Sequence, residues 1–278
     1  MNAVQEEGIL LRSHPYSETS RVVRILTPGR GVLPLMGRGL RRRVQRGEGG
    51  VDTFDQVRIA YTFRSGRDLQ TLTEMEVVRS RQALGRDLVR FAGASLLAEF
   101  LLAHALEEGN PTLFREVEAA LDRLLHAPST EVPGALLSAA WRILAHLGFA
   151  PELDACVQCG HLLEEGQGAG LGEGLEEGGA PALLRFSAHR GGLLCPECGA
   201  GEAGSRLGPG ARADLRAMLG GTAPEKLRGA GVHLALLEVF ALHHLAPQRA
   251  FRSVVLVRTG FAATSAGGAD SGNLPGSG

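Results

Sequence analysis

Two Cys-x-x-Cys pairs, Cys156-Val-Gln-Cys159 and Cys195-Pro-Glu-Cys198, contain all four cysteines of the chain. Each spacing brings two sulfurs to one side of a tight turn, and two such turns facing each other make the tetrahedral sulfur cage that Zn2+ prefers. Glycine follows each pair, at Gly160 and Gly199, where it is expected to supply a positive φ. Disulfides or a redox dithiol are the competing uses of the same residues. No thioredoxin-like βαβ pattern surrounds either pair, and a redox dithiol does not need a second copy. The expectation is one structural Zn2+ held by Cys156, Cys159, Cys195 and Cys198, with His161 and His189 as bystanders. Four thiolates leave no open position for water, so such a metal braces the chain and performs no chemistry.

With 278 residues, 44% of them hydrophobic, the chain has room for two domains and a small module. There is no run of about eighteen apolar residues, and Glu6 and Glu7 stand where a signal peptide is basic. A cytoplasmic protein away from membranes is expected, in a compartment where reduced thiols are free to hold metal. Lys226 is the one lysine, so arginine supplies the other cations, a bias that a GC-rich genome alone explains. The net charge of −1 hides an asymmetry: residues 1–90 carry 16 Arg against 10 acidic residues. That excess of basic charge points to an anionic partner for the N-terminal part.

The first eighty residues read as β-structure. Val57, Ile59, Tyr61 and Phe63 alternate with Arg58, Ala60, Thr62 and Arg64, and after Ser65-Gly66 a second stretch places Leu69, Thr71, Thr73, Met75 and Val77 on one side. Earlier β-rich runs are 8–12, 21–27 and 31–36. Five short strands fit an OB-fold barrel. From Arg86 the period turns helical, through Val89, Ala92, Leu96 and Phe100, with Asn110-Pro111-Thr112 capping a second helix that carries Leu113, Val117, Leu121 and Leu124. A third helix runs from Pro133 to Gly148, and helical periodicity returns at 212–219 and at 232–245, the latter apolar on nearly every face. The fold class is therefore α+β: a five-stranded OB-fold barrel (1–80), a helical domain in two parts (81–150 and 205–261), an inserted four-cysteine zinc module (151–204) and a disordered tail (262–278). Within the module, 164–181 is rich in Gly and Glu and is expected to be a mobile insertion.

A P-loop ATPase is excluded because the one lysine follows Glu225 rather than glycine, and no GxSxG or HExxH motif occurs. His243 and His244 lie in an apolar helix, where packed histidines outnumber catalytic ones. Arg38, Arg41, Arg42, Arg43 and Arg46 crowd into nine residues with no acidic residue among them. Taken alone, such a run is more often a solvated loop than a ligand site. Its place after the third strand of an OB barrel shifts the balance, because that strand face and its loops bind oligonucleotides. Guanidinium groups fork onto phosphates and stack on bases. About four phosphate contacts give a salt slope near −3 for single strands. Tyr16, Tyr61 and Phe63 are the nearby aromatic candidates for stacking, with Tyr61 and Phe63 on the apolar, core-facing side of their strand.

The run EGILLRSHPYSETSRVVRILTPGRGVLPLMGRGLRRR, the segment ILAHLGFAPELDACVQCG and the later HRGGLLCPECG, taken in that order, resemble the bacterial DNA repair protein RecO family through most of residues 1–258. The resemblance implies an OB domain, a helical domain and a four-cysteine zinc module. It also implies a non-enzymatic recombination mediator that binds single- and double-stranded DNA and anneals complementary strands. With RecR, such a mediator helps load RecA onto strands coated by single-strand-binding protein (SSB), whose C-terminal tail is a further candidate partner. The family's basic strip maps onto Arg38, Arg41, Arg42, Arg43 and Arg46, with Arg21 and Arg24 as weaker candidates. Two departures are the length of the 164–181 insertion and the near-total loss of lysine.

Two other functions compete. A zinc-ribbon regulator would read duplex sequence through the knuckles, but Val157, Gln158, Pro196 and Glu197 include no basic residue. A metal-dependent nuclease needs an open metal site with carboxylate ligands, and no compact acidic constellation stands out.

Overall fold

In the computed structural model, strand β1 (Asn2–Pro15) is long enough to serve two neighbours, and that property closes a barrel. Its first half runs antiparallel to β4 (Gln56–Phe63) and its second half to β2 (Arg21–Thr27); Ile9 stands at the changeover, opposite Gln56 on one side and Leu26 on the other. Strand β3 (Gly31–Gly37) pairs with β2, and β5 (Gln70–Arg79) pairs parallel to β3 and antiparallel to β4, giving the closed order β1-β2-β3-β5-β4. The structure describes residues 2–38, 50–104, 108–163, 183–224 and 227–267. Arg41, Arg42, Arg43 and Arg46, the 164–181 insertion and residues 268–278 lie outside them.

Leu10, Val23, Ile25, Leu33, Leu35, Val57, Ile59, Tyr61 and Leu72 fill the barrel. Each buried aliphatic side chain contributes about 1.5–3 kcal/mol relative to exposure. The expected alternation of β4 holds, with Val57, Ile59 and Tyr61 buried. The phase expected for β5 does not hold along its whole length. The β4–β5 register shifts between Ala60 and Tyr61, so Leu72 faces the core opposite Tyr61 while Thr71 and Thr73 point outward. This irregularity is what lets Met75 and Val77, expected on the face of Thr71, return to the half-buried side.

The chain divides into two units, the first comprising residues 1–127 with Arg252–Gly260 and the second Pro128–Phe251 with the residues from Phe261 on. Helices α1 (Leu88–Ala103) and α2 (Pro111–His126) belong to the first. Asp87 accepts the Val89 and Arg90 N–H groups at the start of α1, and Asn110 accepts those of Thr112 and Leu113 at the start of α2, the cap expected there. After a 3₁₀ turn at Gln82–Arg86, α1 ends at Ala103, several residues before Asn110. Arg81 joins barrel to helix: its N–H donates to Asp55 Oδ1 (2.6 Å), its Nε to Asp122 Oδ1 (2.7 Å) and its Nη1 to the Phe54 carbonyl (3.0 Å).

Helix α6 (Ser253–Gly267) replaces the beginning of the expected tail. Ser253 Oγ donates to Glu99 of α1 (3.2 Å), and Gly260 lies so close to Val89 that a Cβ there would come within 2.4 Å of it. Packing against α1 thus favours helix over the β-preference of its valines.

In the second unit, α3 (Val132–His146), α4 (Pro209–Leu219) and α5 (Ala230–Leu245) surround Trp141, whose ring meets Phe240 at 5.1 Å and Phe186 at 6.5 Å. Phe186 comes from a three-stranded sheet of order β7-β6-β8, with β6 Leu184–Ser187, β7 Gly192–Leu194 and β8 Ser205–Leu207. Helix α5 is less enclosed than its composition suggests, because Val232 and Val239 stay exposed. No described helix is long and apolar enough to cross a membrane.

Candidate nucleic-acid interface and metal centre

The outer surface of the barrel is divided by charge. On β4, Arg58 is set between Glu7 (3.4 Å) and Glu76 (3.6 Å), so its charge is answered within the protein. On the β1–β2–β3 side the cations lack that neutralisation. A bulge between Leu10 and Arg12 buries Leu11 and brings Arg12 directly opposite Arg24 of β2. Both are exposed, and neither has an ion-pair partner among the described residues. Like charges facing each other across strands are unfavourable unless an anion lies between or over them.

Three rows further along, Pro15 pairs with Arg21 and Arg21 with Gly37, which Arg38 follows. Arg21 is held by its Nε, which donates to Ser13 Oγ at 2.8 Å, and Arg38 is exposed. Arg12 and Arg24 on the outer face of β1 and β2, and Arg21 and Arg38 at the end of β1, β2 and β3, therefore belong to the same three strands, Arg21 leaving its strand on the face opposite Arg24, with Glu18 the one carboxylate between positions 12 and 38 of the sequence. Arg12 was not a sequence-level candidate. Its proximity to Arg24 depends on a one-residue bulge that no periodicity reveals.

Two aromatic candidates are occupied. Tyr61 is buried and donates through its hydroxyl to Glu6 Oε1 at 2.6 Å; burial and then this bond push its phenol pKa up. Phe63 carries the Arg30 guanidinium 3.8 Å from its ring centre. Tyr16, in the β1–β2 turn, is 67% exposed.

In the second unit the four cysteine sulfurs lie within 4.8 Å of one another, and none is in a disulfide. The two turns repeat one design: the Gly160 N–H donates to the Cys156 carbonyl and the Gly199 N–H to the Cys195 carbonyl, each at 2.8 Å. Gly160 has the expected positive φ of 72°. Gly199 does not; glycine is needed there because a Cβ would come within 2.9 Å of the Arg185 Cβ. The turns are tied together by the Val157 N–H donating to the Leu193 carbonyl (2.9 Å), and Gly192 admits the Glu152 carbonyl, which a Cβ would meet at 2.4 Å.

Arg212 of α4 is buried beneath the first turn and donates to the carbonyls at both its ends, Leu153 (3.0 Å) and Leu163. His161 contributes its backbone carbonyl to the Cys156 N–H (2.8 Å), while the His189 ring packs edge-on to His243 at 5.1 Å. His244 Nε2 hydrogen-bonds the Ala188 carbonyl (2.9 Å), so both helix histidines are packed against the module.

This donor set fits a tetrahedral thiolate-bound cation. Zn–S bonds of about 2.3 Å imply sulfur–sulfur edges of about 3.8 Å, and Cys159 and Cys195 stand 3.9 Å apart. The four thiols hold their protons unevenly. Burial raises the Cys156 thiol, but the N–H donors of Cys195, Cys159 and Gln158 outweigh it and bring the pKa to about 6. Cys198, sharing its proton with Cys195 and then desolvated, is pushed up to about 12.

Residues 1–81 match the family model described as "Recombination protein O N terminal", and residues 85–239 the one described as "Recombination protein O C terminal". The chain is similar to the DNA repair protein RecO of Anaeromyxobacter sp. (strain K), with 36% identity over 203 residues covering 72% of each chain. It is also similar to that of Symbiobacterium thermophilum, with 32% identity over 219 residues, 77% of this chain and 79% of the relative. For that of Rubrobacter xylanophilus the figures are 32% over 253 residues, 88% and 92%. Barrel, helices, cysteine cage and these matches agree: the chain belongs to the RecO family of DNA repair proteins.

Proposed function

We propose that this chain is a cytoplasmic, non-enzymatic recombination mediator. It binds single- and double-stranded DNA, anneals complementary strands and, with RecR, assists RecA loading onto SSB-coated strands, with the SSB tail as a further partner. The OB module spans 1–80, the helical parts 81–150 and 205–261, and the zinc module 151–204. The observation that carries the proposal is the β1–β2–β3 part of the barrel bearing Arg12, Arg21, Arg24 and Arg38 without a counter-ion among the described residues, in a chain of this family. Arg41, Arg42, Arg43 and Arg46 continue that charge in sequence.

The mechanism needs no reacting side chain. Two complementary strands repel each other through their phosphates; guanidinium groups neutralise part of that charge and release condensed counterions. Contacts to phosphate leave base edges free, so pairing proceeds while the strands are held together. Cys156, Cys159, Cys195 and Cys198 hold one Zn2+, which supplies a structural crosslink. The tips of the two knuckles, Gln158, Pro196 and Glu197, expose no cation and do not suit duplex reading.

Strand annealing with and without SSB, titrated against salt, tests this on the wild type and on a variant with Arg41, Arg42 and Arg43 changed to Glu. Annealing by the wild type that the triple variant loses supports the proposal; unimpaired annealing by the variant contradicts it. Magnesium-dependent cleavage of DNA by the purified wild type would instead establish a nuclease.

A further inference from the structure

The β1–β2 turn combines three features that the cations alone do not explain. First, Tyr16 is 67% exposed, and neither its ring nor its hydroxyl has a partner among the described residues. Second, its backbone is fixed: the Tyr16 and Ser17 N–H groups both donate to the Ser20 carbonyl (3.0 and 3.3 Å), and the Ser20 N–H donates to Ser17 Oγ (3.2 Å). Third, Tyr16 follows Pro15, whose cross-strand partner Arg21 pairs with Gly37, the residue before Arg38. Tyr16, Arg21 and Arg38 therefore stand at one end of three adjacent strands, within about two interstrand spacings or 10 Å of backbone.

We propose that Tyr16 is the base-stacking platform that makes the barrel discriminate single strands from duplex. The proposal rests on the barrel side described above being the nucleic-acid interface. A tyrosine offers a rigid face with two side-chain torsions to order, and every unpaired base has a face to lay on it. In a duplex both faces of each internal base are already covered by neighbours, so the ring adds nothing there. The neighbouring guanidinium groups hold phosphates of either form and set the salt dependence. The ring sets the preference. The alternative aromatics cannot do this, since Tyr61 is buried against Glu6 and Phe63 lies under Arg30.

The test measures the affinity of the full chain for a fluorescent oligothymidine and for a duplex of equal length, across a salt series, in the wild type, Tyr16→Ala and Tyr16→Phe. Tyr16→Ala is expected to weaken single-strand binding about 5- to 150-fold, with duplex affinity changed less than about twofold and the salt slope unaltered. Tyr16→Phe keeps the ring and retains wild-type binding. Tyr16→Trp gives an independent reading, an emission that falls on adding oligothymidine and not on adding duplex. Wild-type binding that Tyr16→Ala leaves intact, or weakens equally for both forms, overturns the stacking role while leaving the interface standing. A wild type that binds neither form overturns the interface and the stacking role together.

Discussion

Replacing Asp122 with alanine is the sharpest test of how the barrel is fixed to its helices. Arg81 has no exposed side-chain surface, and Asp122 supplies the acceptor for its Nε at 2.7 Å. With Asp122 gone, the remaining side-chain partner of Arg81 is the Phe54 carbonyl at 3.0 Å, and Nη2 is already without one. Stranding a buried charge costs about 3–5 kcal/mol. The Asp122 side chain is 26% exposed, which admits some water and places the expected cost near the lower end, about 3 kcal/mol. That is a large part of the roughly 5–15 kcal/mol that holds a domain folded. With m near 2 kcal/mol/M, the urea midpoint of the first unit falls by about 1.5 M. Far-UV circular dichroism gives the midpoint, and hydrogen exchange at the Arg81 amide, which donates to Asp55, reports locally. Combining Arg81→Met with Asp122→Leu removes the charge as well as its partner and should recover most of the loss. A shift under about 0.3 M for Asp122→Ala alone would refute the claim that this pair carries the junction.

Two further outcomes concern the second unit. Arg212→Leu removes the donor that spans both ends of the first cysteine turn, so Zn2+ affinity measured by competition with a chelator should fall about 10- to 100-fold; unchanged affinity would assign Arg212 to packing alone. His233 and His244 both have pKa values lowered from 6.5, chiefly by burial, against an opposing effect of Asp214 on His233 and of the Ala188 carbonyl on His244. The unfolded chain then takes up protons that the folded chain refuses, so stability is complete above pH 6.5 and declines as the pH drops below it. Urea midpoints at acidic and neutral pH should differ less in a His233→Gln, His244→Gln double variant than in the wild type.

Much of the architecture was legible because it follows from short-range chemistry. Val57, Ile59 and Tyr61 alternate into the core, Asn110 caps its helix, and the cysteine spacing dictates two turns whose sulfurs converge. What escaped depends on contacts distant in sequence. The polar first half of β1, with Glu6 and Glu7, is a strand because β4 needs an edge partner to close the barrel. The phase of Leu72 follows from a register shift, and the helix at Ser253–Gly267 from its fit against α1. At the candidate interface, Arg21, Arg24 and Arg38 were readable as charge beside strands, whereas Arg12 joined them through a bulge. Gly199 does not fill the role that its spacing suggests. It answers a close approach to Arg185 and not a positive φ.

The central claim is that this side of the barrel grips nucleic acid through its arginines, and the salt dependence of single-strand affinity tests it most directly. The wild type should give a slope of log affinity against log salt of about −3 or steeper, and Arg12→Ala with Arg24→Ala should flatten it by about 1.4. An unchanged slope in the double variant, or a wild type whose affinity does not respond to salt, would contradict the account.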